Sequence, residues 1–144
     1  MTPQRRAELH AAYLDTAYRV DGPDGSFTIH VGERSNPLEK LLSEEGVRHW
    51  AFVTACNPHS QQLPDDQNAV RMSHLIADIS VAGLGFHPGE AIARATSWPP
   101  EPSLLILDIA ESSAIELARR YGQNAIVCGA AGEAPRLVWI ELVQ

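Results

Sequence analysis

The stretch Trp50–Pro58, W-A-F-V-T-A-C-N-P, constrains the fold of this chain more than any other. From Trp50 to Cys56 no residue carries a charge. Such a run reads as a strand buried on both faces, which requires other elements to cover it from each side. It then stops abruptly at Asn57 and Pro58. A residue before proline is pushed toward extended backbone and away from helix, so Asn57 is expected to leave the strand extended and open the loop N-P-H-S-Q-Q-L-P.

The flanking patterns supply the covering layers. Residues 3–20 carry Leu9, Ala12, Tyr13, Ala17 and Val20 at helical spacing, ending at the turn D-G-P-D-G. Phe27, Ile29 and Val31 alternate as a short strand. Asn36, Pro37 and Glu39 mark the start of a second helix with Leu38, Leu41 and Leu42 inward and Gly46 as its stop. Asp65 or Asp66 caps a third, in which Met72, Leu75, Ile76 and Ile79 face the core and Arg71, His74 and Asp78 face solvent. Two short strands broken by H-P-G are expected between Gly83 and Trp98. W-P-P-E-P leads into a buried strand at 103–109, and Ser113 with Glu116 reads as the capping box of a fourth helix with Ala114, Leu117, Ala118 and Tyr121 inward. Gly122 ends it, and strands at 125–128 and 137–143 follow. The expectation is one α+β domain over residues 1–144, with a mixed, partly antiparallel sheet packed by about four helices.

Composition narrows the functional classes. A formal net charge of −7, with eleven basic residues paired at most in twos, argues against nucleic acid. No window reaches the ~18 apolar residues of a membrane span. Two cysteines make no disulfide framework, and the apolar core of a secretion signal is absent near the start; a cytoplasmic protein is expected. Glycine-rich phosphate cradles are missing, and the third and fourth helices begin beside acids, so no cofactor is expected. Cys56 and His59 have C-x-x-H spacing, with Cys128 and His87 elsewhere, but no second paired motif completes a metal site. Cys56 with His59 or His49 as base would make a nucleophile only if a cation lowered the thiol pKa, and Asp65 and Asp66 act the other way.

What remains is a set of amides and one acid at strand ends. Glu101 precedes one buried strand, Gln123 and Asn124 precede another, and Asn57 leaves a third. If the unit from Ser103 to Cys128 is parallel, Glu101 and Gln123 emerge at one sheet edge. Asn57 joins them only if its strand runs antiparallel to 103–109, and Asn68, opening the next helix on its apolar stripe, is then close by.

T-A-C-N-P at 54–58, E-P-S at 101–103 and Y-G-Q-N-A at 121–125 resemble the signature of the bacterial domain of unknown function 3293 family, and Tyr13, Thr16 and Tyr18 look similar to its members as well. The resemblance runs from about Tyr13 to Val127. It implies no activity, but it singles out Thr54, Asn57, Pro58, Asn68, Glu101, Ser103, Gly122, Gln123 and Asn124. Position 56, usually a bulky aromatic in the family, is Cys56 here, so the resemblance does not imply thiol chemistry.

The expected function is a small non-catalytic binding or interaction module. Thr54, Asn57, Asn68, Gln123 and Asn124 would hold a small polar ligand or brace loops, with Trp98 and Trp139 left for a protein partner or homodimer surface. The alternative is a hydrolase or transferase with Glu101 as general base and Asn57 and Gln123 as orienting amides.

Overall fold

A computed structural model describes residues 1–94 and 98–140. In chain order the elements are α1 (Pro3–Leu14), β1 (Ala17–Gly22), β2 (Gly25–Ile29), α2 (Asn36–Glu45), β3 (His49–Val53), α3 (Asp65–Val81), β4 (Phe86–Ile92), β5 (Glu101–Leu107), α4 (Glu111–Arg120), β6 (Ala125–Ala130) and β7 (Arg136–Trp139). A single turn of 3-10 helix, Pro58–Ser60, sits between β3 and α3.

The seven strands form one curled sheet in the order β2-β1-β4-β5-β3-β6-β7. Every neighbouring pair is antiparallel. The expected α+β architecture with four α-helices is present, but the sheet is antiparallel throughout rather than mixed. The reason lies in the charge-free stretch. β5 and β6, joined by α4, do run in the same direction, yet β3 inserts between them and opposes both. Trp50 pairs with Leu107 on one side and Gly129 on the other, so β3 is enclosed in the plane of the sheet as well as above and below it.

Side chains alternate between two cores, as the period-two geometry of strands dictates. Ala51, Val53, Leu104, Ile106, Ile126 and Cys128 face α3 and α4, meeting Met72, Leu75, Ile79, Ala114, Leu117 and Ala118. Trp50, Phe52, Leu105, Leu107 and Val127 face the other way, toward Leu38, Leu41 and Leu42 of α2. Each of those leucines contributes on the order of 2 kcal/mol by burial. α1 lies over the same face as α2 but buries only Leu9.

Several expected elements shift, each for a local reason. The first helix ends at Leu14 rather than Val20, because Tyr18 and Val20 are drawn into β1, where they pair with β2 and β4 and bury alternately. The two strands expected around H-P-G are one, β4. Pro88 is tolerated because the β1 ladder begins only at Gly89, so no β1 carbonyl needs its missing N–H. At Gly89 the Arg19 carbonyl comes so near that a Cβ would lie 2.0 Å from it. Glycine there marks a close crossing of strands, not a break.

Ser35 rather than Asn36 caps α2, accepting a hydrogen bond from the Leu38 N–H at 3.3 Å. Pro64 occupies the cap position of α3, leaving Asp65 and Asp66 inside its first turn, where their charge still suits the helix dipole. Ala110 precedes α4, so Ser113 and Glu116 lie inside that helix and form no capping box. Ile76 is exposed. Positions 141–143 of the last expected strand lie outside the described residues. Among the described residues no helix is long and apolar enough to cross a membrane.

Candidate ligand site

The end of β3 delivers the site. Beyond Val53 the chain stays buried through Ala55, Cys56 and Asn57, then turns sharply. Asn57 is not extended as expected but left-handed, at φ 50° and ψ 60°, and His59 and Ser60 also have positive φ. A non-glycine residue pays roughly 1–2 kcal/mol for this conformation. Asparagine bears it best, and here its side chain is engaged through both its oxygen and its nitrogen. Asn57 Oδ1 accepts from the Leu63 N–H at 2.9 Å and from Asn68 Nδ2 at 2.8 Å, and the Asn57 N–H donates to Asn68 Oδ1 at 3.0 Å. The two amides thus lock the loop onto the first turn of α3.

From that lock the cluster reaches β5. Asn57 Nδ2 donates to Glu101 Oε2 at 2.9 Å, and Trp98 Nε1 donates to the same oxygen at 3.3 Å. Glu101 Oε1 makes no hydrogen bond among the described residues. Burial pushes the Glu101 carboxyl above its ordinary range, against the opposing pull of the Asn57 and Trp98 hydrogen bonds. From the β6 side, Gln123 Nε2 donates to the carbonyls of Cys56 (3.0 Å) and Tyr121 (3.2 Å). Thr54 Oγ1 donates to the Pro102 carbonyl at 2.7 Å, pinning the β3 exit to the β5 approach. Asn124 Nδ2 reaches Ser60 Oγ at 2.7 Å.

The structure therefore brings Thr54, Asn57, Asn68, Glu101, Gln123 and Asn124 to one end of the sheet, because β3 opposes both β5 and β6. They do not share one environment. Asn57, Thr54, Glu101 and Gln123 line a cavity of ≈340 Å3 between α1 and the sheet, whereas Asn68 and Asn124 stand behind its wall. Apolar side chains make up most of the remaining lining, including Leu9 and Ala12 of α1, Phe52, Val127 and Leu137. Five polar side chains are buried among the described residues: Thr16, Asn57, Asn68, Ser103 and Gln123. Four of the five line this cavity, which a scatter of core-bracing polar groups would not produce.

Several contributors escape sequence reasoning. Tyr13 and Tyr18 line the cavity, and burial raises the pKa of both hydroxyls. Arg71, expected in solvent, turns inward. Its Nε donates to the Ala55 carbonyl and a terminal nitrogen to the Tyr121 carbonyl, both at 2.6 Å, joining the two loops that carry Asn57 and Gln123. Asp78, expected on the same solvent face, accepts from the Tyr121 hydroxyl and Arg120. The only sequence signal for these roles was the tyrosine pair before and within β1. Trp98 and Trp139 are half-buried within the chain. Trp139 donates to His10 Nδ1 at 3.1 Å and stacks on its ring, with Tyr13 at its edge.

The thiols are poorly placed for nucleophilic chemistry. Cys56 is fully buried, its Sγ directed to the Pro102 carbonyl at 3.6 Å, and burial raises its pKa. Burial and the neighbouring Glu111 carboxylate push Cys128 up to about 12. His59 is exposed, and His87 pairs with Glu45 at 3.3 Å. Among the described residues no group of three or more His, Cys, Asp or Glu side chains is arranged to hold a metal ion.

Fold and site together define an α+β domain whose curled antiparallel sheet and first helix enclose a largely apolar cavity, with Glu101 in its sheet wall and Glu8 on its helix wall. The chain belongs to the family described as protein of unknown function (DUF3293), whose model matches residues 53–126, from the last residue of β3 into β6. That segment contains Thr54, Asn57, Asn68, Glu101, Gln123 and Asn124 but not α1. No curated protein and no solved structure matches the chain.

Proposed function

We propose that this domain binds a small molecule in the cavity under α1, with Glu101 as its polar anchor. The observation that carries the reading is the concentration of buried polar groups on one cavity wall, around a carboxylate with an uncommitted oxygen. Polar groups that serve only to brace a fold are satisfied by one another, as Asn68 is by Asn57 and the Leu63 carbonyl. Glu101 Oε1 instead has no hydrogen-bond partner among the described residues, and Glu101 borders a space large enough for a small ligand. Asn57, Asn68, Gln123 and Arg71 hold the loops that shape this wall, so their part is positioning.

A thermal-shift screen of the purified chain against metabolites tests the proposal. A ligand at a hundred times its Kd adds about 2.7 kcal/mol of stability, which a melting curve reads easily. The expected hit loses its effect in Glu101→Gln while the variant's own melting temperature stays near the parent's. A screen whose hits are all indifferent to Glu101→Gln would overturn the role of Glu101 as anchor.

A second reading is favoured by one observation, the burial-raised pKa of Glu101, which suits a general base. On that reading the bound molecule is turned over, and Glu101→Gln abolishes turnover while binding persists.

A further inference from the structure

The hydrogen-bond directions around the cavity say what kind of ligand its wall can receive. A carbonyl oxygen only accepts, so any hydroxyl bonded to one has committed its proton there. Thr16 donates to the Ala12 carbonyl at 2.7 Å, Tyr18 to the Tyr13 carbonyl at 3.0 Å, and Thr54 to the Pro102 carbonyl. Ser103 donates to the Glu101 carbonyl at 3.0 Å. Gln123 spends its two amide hydrogens on Cys56 and Tyr121, and Trp98 Nε1 gives its hydrogen to Glu101. What the hydroxyls and Gln123 Oε1 still offer is lone pairs, and Trp98 offers only its ring. The exceptions are one amide hydrogen of Asn57 and one hydroxyl proton of the Tyr13–Ser60 pair, whose oxygens lie 3.5 Å apart, since only one of their two protons can lie between them.

Charge points the same way. Two acids, Glu101 and Glu8, line the cavity, and among the described residues Glu101 forms no ion pair with a basic side chain. Arg5, the basic side chain among the lining residues, is half-exposed on α1 and pairs with Glu8 at 3.8 Å. The rings of Tyr13, Tyr18, Phe52 and Trp98 are part of the remaining lining, and aromatic faces attract cations. A carboxylate or phosphate ligand would meet acceptors and a like charge.

Building on the binding site proposed above, we infer that its ligand is a small cationic amine with an apolar body, its ammonium on Glu101 Oε1 and its body against the aromatic wall. At roughly 30 Å3 of liquid volume per water, the cavity holds about ten water equivalents, so the ligand has on the order of ten non-hydrogen atoms.

Calorimetric titration of the full chain with three probes of one shape, benzylamine, benzyl alcohol and benzoate, tests this. Benzylamine is expected to bind at least tenfold more tightly than benzyl alcohol, and benzoate not measurably. Glu101→Gln should weaken benzylamine tenfold or more and leave benzyl alcohol within twofold. Ala12→Phe, which adds a ring on the cavity-facing side of α1, should remove binding of all three.

Benzyl alcohol or benzoate binding as tightly as the amine, with sensitivity to Ala12→Phe, would overturn the amine inference and leave the cavity as a ligand site. The amine inference fails in the same way if no probe binds but the metabolite screen yields a non-amine ligand sensitive to Glu101→Gln. Failure of the probes together with a screen empty of Glu101-dependent hits would sink both readings.

Discussion

Asn57 shows how much a single side chain can settle. Its left-handed backbone is unfavourable for any residue but glycine, and its amide offsets that by closing the loop onto α3 and presenting a donor to Glu101. The two contributions can be separated. Asn57→Ala keeps the strain and strands the Leu63 N–H and the Asn68 amide, at a cost of about 2–4 kcal/mol in urea unfolding. Asn57→Gly relieves the backbone but strands the same groups, so it should be less destabilising than Asn57→Ala by about 1 kcal/mol. Asn68→Ala removes the reciprocal partner. Because each amide is the other's partner, the double variant Asn57→Ala/Asn68→Ala should cost less than the sum of the singles, by a coupling of roughly 0.5–3 kcal/mol. Strict additivity would mean the two amides act independently, contrary to their geometry. Gly122 is the other residue with no substitute. Its φ is 68°, its carbonyl accepts the His59 N–H at 2.8 Å, and an added Cβ would approach the Pro58 Cβ to 3.0 Å. Gly122→Ala should lower stability by roughly 1–3 kcal/mol in the same unfolding experiment.

Among the elements, those with long apolar stripes were legible in the sequence, and those decided by tertiary pairing were not. The leucines of α2, the β3 run and the inner face of α4 announce themselves because burial repeats at the element's own period. β1 was hidden inside a helical pattern, since Ala17 and Val20 fit a helix stripe as well as a strand, and only pairing with β2 and β4 decides between them. The polar cluster was legible as far as its position at strand ends. Its convergence depended on β3 opposing β5 and β6, which no local pattern specifies. The inward turn of Arg71 was illegible for another reason: its partners are backbone carbonyls of distant loops, which carry no residue-type signal.

α1 differs in kind from the other helices. It buries Leu9 alone, against three leucines on α2 and four residues on α3. Trp139 supplies much of its anchorage, through His10, Tyr13 and the Arg6 guanidinium 4.4 Å above the ring. In hydrogen exchange under native conditions the α1 amides should therefore lose protection well before those of α3 or β3, and Trp139→Ala should widen the gap. Equal protection across the helices would show that α1 opens only with global unfolding.

At the scale of the whole molecule, the acids divide into two groups with opposite effects on stability. Asp21, held by Ser26 and Arg19, Asp78, held by Tyr121 and Arg120, and Glu111, held by Arg136 and Cys128, all have pKa values lowered from their ordinary 3.8 or 4.5. Each binds protons more weakly folded than unfolded, so its contribution is complete above about 4.5 and is lost as pH falls through the lowered values. These groups are partly exposed, so that loss should be modest and shrink in salt. Glu101 has the reverse sign. Its folded pKa is raised above 4.5, so the folded chain holds this proton more tightly, and its contribution is present at low pH and lost as pH rises through the raised value. Urea unfolding from pH 8 down to pH 3 should accordingly show one component that gains stability on acidification before the lowered acids begin to lose theirs. Glu101→Gln removes that component alone. The variant should equal or exceed the parent in stability near neutrality, lose any such advantage as the parent's Glu101 takes up its proton, and keep the same acid-side decline. Parallel curves for the two proteins would mean that Glu101 ionises as freely as in solvent. The carboxylate would then lack the desolvated setting that makes an ammonium its natural counterpart.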